Sequence, residues 1–262
     1  MRLLRVRMLA AAVVASAGAA NRPATETYRV TFDYYQANRR GEVQGREQIS
    51  GLYTRDPVRR TSVWSQVGVA RSPSDVGPFE PSQPRRFMEG FSYGQDADVL
   101  ATEFFRGIPA TAIMERSLIW DTRMFEVFGE KEFGHLTPDI PYHFQPRQDV
   151  ALAGAVTFTN NDVQLSLTGR AVRHGVDCWV VDYRALFNPV RIDLPGFSMN
   201  GRSHYWGQIW VSRRTKRIEY GTLYEDVLAD TTQGTPPGPP GTTNAVRVGL
   251  MERINEVASV TR

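Results

Sequence analysis

Hydrophobic and polar residues alternate along most of the chain with the period of two that marks a half-buried strand. Tyr28, Val30, Phe32 and Tyr34 fall on one side of the first such stretch and Arg29, Thr31, Asp33 and Tyr35 on the other. The turn residues Asn38-Arg39-Arg40-Gly41 lead to a second strand over 42–53, and a third is predicted over 61–70. Four prolines between Ser72 and Pro84 mark a surface loop. The period then changes. Behind Asp96, a capping residue, Ala97, Leu100, Ala101, Phe104, Phe105 and Ile108 share one helical face, with Gly107 and Pro109 as stop signals. A second helix is predicted over 111–128, with Met114, Leu118, Phe125 and Phe128 on one stripe and Gly129 after it. Pro138, Pro141 and Pro146 make 130–147 a loop. Strands return at 150–158 and 163–167 around Asn160-Asn161, and again at 177–185. Beyond an irregular segment, 187–200, they continue at 203–212 and 217–227. Thr231–Asn244, rich in proline and glycine, reads as a linker, and the alternating Val246, Val248 and Leu250 as a last strand.

About nine or ten strands without strand–helix alternation point to a mainly β (α+β) chain rather than a doubly wound parallel sheet. The expected architecture is a large coiled antiparallel sheet or half-barrel with an inserted pair of helices. It forms a single β-rich domain over 21–262, with the helical insert at 95–129.

The first twenty residues do not fit that pattern. Arg2, Arg5 and Arg7 precede a short uncharged run, and small residues follow at 17–20, the anatomy of a cleaved signal peptide. Three of the 31 basic residues fall in this leader, which leaves 28 against 28 acidic ones. The high pI is therefore no argument for a nucleic-acid partner. Nothing beyond the leader approaches the ~20 apolar residues of a membrane helix, so the mature protein is expected to be soluble and periplasmic or secreted, without a transmembrane span. No cysteine stands directly after the leader, so N-terminal lipidation of the lipoprotein type is not expected; the one cysteine, Cys178, has no disulfide partner and reads as a buried strand residue.

Candidate chemistry is sparse. Gly90-Phe91-Ser92-Tyr93-Gly94 matches the nucleophile elbow of serine hydrolases, with Asp182 and His204 as conceivable partners, but no hydrophobic strand precedes it. His135, Asp139 and His143 have helical ligand spacing, which Pro138 and Pro141 forbid, so no metal is assigned. No cofactor is expected. Arg213, Arg214, Lys216 and Arg217 cluster at a hairpin tip and could meet an anionic surface. The strongest signal is distributed. Aromatic residues gather in the predicted helices and in the strand around Tyr205. Phe104, Phe105, Trp120, Phe125, Trp206 and Trp210 are the candidate ligand contacts, should a coiled sheet folding over the helices enclose a concave apolar space.

The element order, together with Trp206-Gly207-Gln208-Ile209-Trp210-Val211 and Arg217-Ile218-Glu219-Tyr220, resembles the periplasmic lipoprotein-carrier (LolA/LolB-type) half-barrel. That resemblance implies an apolar cavity that shuttles acyl chains. It assigns no site residues, because no amphipathic helix follows the leader and no residue matches the family's functional arginine. The expectation is an exported binding protein for an apolar or lipid-like ligand, without covalent chemistry. The alternatives are a secreted hydrolase using Ser92 and an envelope adaptor acting through the basic tip.

Overall fold

The computed structural model describes residues 25–38, 40–145, 148–152, 156–234, 238 and 241–254. The leader and part of the proline-rich 231–244 segment lie outside the described residues. Thirteen strands form one antiparallel sheet. They are β1 (Glu26–Ala37), β2 (Val43–Asp56), β3 (Thr61–Ser72), β4 (Gln83–Pro84), β5 (Ser92–Gly94), β6 (Tyr142–Gln145) and β7 (Gln148–Leu152), followed by β8 (Val156–Asn160), β9 (Val163–Arg173), β10 (Val176–Leu194), β11 (Phe197–Ser212), β12 (Ile218–Gln233) and β13 (Gly241–Ile254). The main order is β4-β3-β2-β1-β13-β12-β11-β10-β8-β7, with β5 on β3 and with β9 on β10 and β6. The first and last long strands pair with each other, but the ends of the order do not meet. The sheet is a half-barrel that is not closed.

Alternation accounts for its two faces. On β1, Tyr28, Val30 and Phe32 are fully buried, and their cross-strand neighbours Met251 and Ile49 are buried with them. The segment 187–200, expected to be irregular, is strand. β10 continues through it to Leu194 and turns at Pro195-Gly196 into β11, pairing on the way with β9 over Val176–Arg184 and with β8 over Val190–Ile192. Leu186–Pro189 fall in the gap between those partners, where a bulge forms and Phe187 takes a positive φ of 59°. Pro189, which has no N–H to give, thus costs no ladder bond on that side, and a proline that would argue against a central strand is tolerated.

The helical insert lies on the concave face. Its second half is helical as expected: α1 (Ile113–Glu126) continues into a π turn over Val127–Lys131. The first predicted helix is not there. Residues 96–108 make successive i to i+3 turns, with a short 3-10 segment at Thr102–Phe105. The Asp98 carboxylate accepts the Leu100 N–H at 3.0 Å, so the side chain offers the backbone a turn in place of a helical bond. The apolar spacing is used differently too. Phe104 packs edge-on against Phe91 and Tyr93, while Phe105 packs against Trp120 of α1.

α1 is fastened along its length. Leu118, Ile119 and Phe125 are fully buried against the sheet. Close approach is possible because the opposing positions are small: a Cβ on Gly221 would sit 3.1 Å from the Phe125 ring, and one on Gly129 would sit 2.8 Å from Ile209. Four ion pairs in three groups reinforce the seat. Glu115 meets Arg85 at 2.7 Å, Asp121 meets Arg247, and Arg55 meets Glu130 at 2.7 Å and Glu126 at 3.4 Å. The last group is itself anchored, with Tyr53 donating to Glu126 at 2.6 Å.

Candidate functional site: an amphipathic cavity under the helix

Between α1 and the concave face lies an open cavity of about 600 Å³, in the range of small-molecule sites. From the helix, Ile113, Ser117, Trp120, Asp121, Met124 and Phe128 face it at the i, i+4, i+7 spacing of one stripe. One wall, formed where β8, β10, β11, β12 and β13 run past the helix, is apolar: Val156, Val190, Ile192, Met199, Val227 and Ala245. These residues belong to a hydrophobic cluster separate from the main core, and the cavity is bordered by both.

The polar part of the lining adjoins it on the same face of the sheet, with Glu225 two residues before Val227 on β12 and Arg247 two after Ala245 on β13, and is a direct product of strand register. Tyr205 on β11 stands beside Glu225 on β12, Glu225 beside Arg247 on β13, and Arg247 beside Tyr34 on β1. Four neighbouring strands thus present one cross-strand row, Tyr–Glu–Arg–Tyr, into the cavity. The helix lowers Asp121 onto the same arginine. Arg247 donates to Asp121 Oδ2, and its Nε lies 3.1 Å from Glu225 Oε2. Ser203 donates to Glu225 Oε1 at 2.5 Å, and Tyr205 donates to Asn160 at 2.9 Å. The guanidinium also lies over the rings of Phe32 and Tyr34, 5.6 and 5.3 Å from their centroids. The buried Tyr34 hydroxyl has no well-formed hydrogen bond among the described residues.

Burial sets the protonation of this group. It pushes Asp121 up from the ordinary 3.8 to about 7, against the pull of Arg247 and with help from Glu225. Burial works to discharge Arg247, but Asp121 and Glu225 outweigh it and hold the arginine protonated, above its ordinary value. Tyr34 and Tyr205 are both raised by burial and stay neutral hydroxyls.

Of the six aromatic residues read from the sequence as ligand contacts, the structure places Trp120 on the cavity. Its indole N–H donates to Val99 O at 2.8 Å, which fixes the ring in the wall. Phe105 and Phe125 are buried in the main core, and Phe104 packs against that core in the Phe91–Tyr93 cluster. Trp206 and Trp210 are on the other side of the sheet. Tyr205, Gly207 and Ile209 point inward, so period two sends Trp206 and Trp210 outward, where Trp206 is 45% exposed and stacks on Tyr224. The concave expectation therefore fails for these two tryptophans. The polar row went unread: its members have no shared local spacing, and Asp121 and Arg247 are 126 positions apart.

Other candidates disperse. Ser92 sits on the short β5, paired with β3, with no α-helix directly after it. Asp182 and His204 lie on β10 and β11, several strands away across the sheet, and His204 packs on Phe187. The hydrolase constellation is not assembled. His135 stacks on Tyr142, and His143 bonds Asp162 at 2.6 Å. Among the described residues, no group of three His, Cys, Asp or Glu side chains could hold a metal. At the basic tip, Arg213 pairs with Asp177 at 2.5 Å and Arg217 with the buried Glu26 at 2.9 Å, which leaves Arg214 and Lys216 as its exposed cations. Burial pushes the Cys178 thiol up to about 11. No helix among the described residues is long and apolar enough to cross a membrane. The chain matches no protein-family model, and no curated protein matches it.

Proposed function

We propose that this protein is an exported, non-catalytic binding protein for an apolar or lipid-like small molecule, held between α1 and the concave face of the half-barrel. The observation that carries this reading is the cavity itself. It is about 600 Å³, open, and lined mainly by aliphatic and aromatic side chains that border the main core on one side and a second apolar cluster on the other. An apolar ligand in a space of this size takes the aliphatic and aromatic lining out of water, which is the driving force for its binding. The signal-peptide-like start supports export, and the open half-barrel with a helix on its concave side supports a carrier role of the lipoprotein-carrier kind.

The test is titration of the detergent-free protein with the uncharged probe N-phenyl-1-naphthylamine. Blue-shifted, saturable fluorescence is expected. The variant Ala245→Trp fills the apolar wall and should lower probe affinity at least tenfold while keeping the thermal unfolding midpoint. Equal binding by both proteins would place the probe elsewhere and remove the support for this site.

A further inference from the structure

The polar wall decides which end-group a ligand can carry. An arginine inside an apolar cavity ordinarily invites a carboxylate or phosphate, but here its charge is already matched more than once. Asp121 from above and Glu225 from the adjacent strand both contact Arg247. Among the described residues, the other guanidinium on the cavity, Arg123, is bound by Glu126 at 2.8 Å, and a further carboxylate, Asp98, is exposed on the lining. The lining thus holds three carboxylates against two arginines, one of which is taken by an acid outside the lining. A second anion would enter a region of low dielectric with no free counter-charge, where the desolvation cost of a buried ion goes uncompensated.

What the wall offers instead are acceptors. Asp121 gives one oxygen, Oδ2, to Arg247 and has no hydrogen-bond partner for Oδ1 among the described residues. The Tyr34 hydroxyl can accept as well as donate. We infer that the cavity takes amphiphiles whose polar end is a hydrogen-bond donor, an amine or a hydroxyl, and rejects fatty acids and other anionic amphiphiles. The geometry is that of a tail against Val190, Ile192, Met199 and Val227, and a head beside Asp121 and Tyr34. This inference rests on the cavity reading above and narrows it to a ligand class.

A matched trio separates the two claims: decylamine, decanol and decanoate, each used to displace N-phenyl-1-naphthylamine at pH 7.5. The amine and the alcohol should bind at least tenfold more tightly than decanoate. Asp121→Asn should narrow that gap, and the double variant Asp121→Asn/Glu225→Gln, which leaves Arg247 without a carboxylate, should reverse it in favour of decanoate. The single variant keeps the test informative if the double variant does not fold. Decanoate binding to the unmodified protein as tightly as decylamine would overturn the head-group inference and leave the cavity reading standing. Displacement by none of the three would overturn the cavity reading itself.

Discussion

Asp121 shows how position, rather than residue type, sets chemistry in this protein. It belongs to a helix stripe whose neighbours are apolar, and it meets Arg247 inside the cavity. With its carboxyl raised from 3.8 to about 7 by burial, the folded chain holds a proton that the unfolded chain has released across that interval. The stability gained from protonated Asp121 is therefore complete below about pH 4 and is lost as the pH rises toward 7. Urea midpoints measured between pH 4 and 8 should fall more steeply for the natural sequence than for Asp121→Asn. Decylamine, cationic throughout, should bind more tightly at pH 8 than at pH 6, because ionised Asp121 supplies its counter-charge. The groups facing Asp121 are Arg247, Glu225, Tyr34, Tyr183 and Tyr205. A flat profile for decylamine would mean that Asp121 is ionised at both pH values. Cys178 gives an independent check on burial. With its thiol held up to about 11, the native protein should react with a thiol reagent at pH 8 at least roughly 100-fold more slowly than a free cysteine, and denaturant should abolish the difference.

Among the elements, α1 is the one whose loss would cost the site. Its seat depends on Gly221 beneath Phe125, and Gly221→Leu should overpack that contact and cost roughly 1–3 kcal/mol, read from urea unfolding. Arg55 at the far end of the helix has a side chain only 10% exposed and bridges Glu126 and Glu130. Arg55→Met would leave Glu130 without its cation and Glu126 with Arg123 and Tyr53 alone, at about 3 kcal/mol. Both effects should be visible as lower urea midpoints. α1 was legible in the sequence because Leu118, Phe125 and Phe128 keep helical spacing through a stretch without proline. The segment 96–108 shows the same apolar spacing and is not a helix, since Asp98 bonds the Leu100 N–H and Phe104 and Phe105, packed on each other, reach different partners in the core, Phe91 and Tyr93 for one and Trp120 for the other. Spacing reports which residues seek burial; it does not say whether they reach it from one helix or from consecutive turns.

For the whole molecule, the antiparallel class and the long strands were readable from alternation in β1, β11 and β12, where a row of inward residues is unbroken. The continuation of β10 past Pro189 was not, because tolerance of that proline depends on which strand lies alongside. Of the aromatic residues that the sequence gathers in the helices and the Tyr205 strand, Trp120, Phe128 and Tyr205 line the cavity, and the rest of the site was not legible. Tyr34, Tyr205, Glu225 and Arg247 become neighbours through the pairing of four strands, and pairing between distant segments leaves no local trace. Trp206 and Trp210 misled for the complementary reason: residue type marks a ligand contact only once the inward face of the strand is known.

The central claim is that the space under α1 holds a small amphiphile. It is tested most directly by native mass spectrometry of the protein exported by a bacterial host and purified without detergent, alongside Ala245→Trp. The account predicts a near-stoichiometric adduct on the natural sequence, extractable into organic solvent, lacking a carboxylate or phosphate, and absent from the variant. An apo mass that stays unchanged on incubation with decylamine and decanol, or an adduct retained in full by Ala245→Trp, would contradict it.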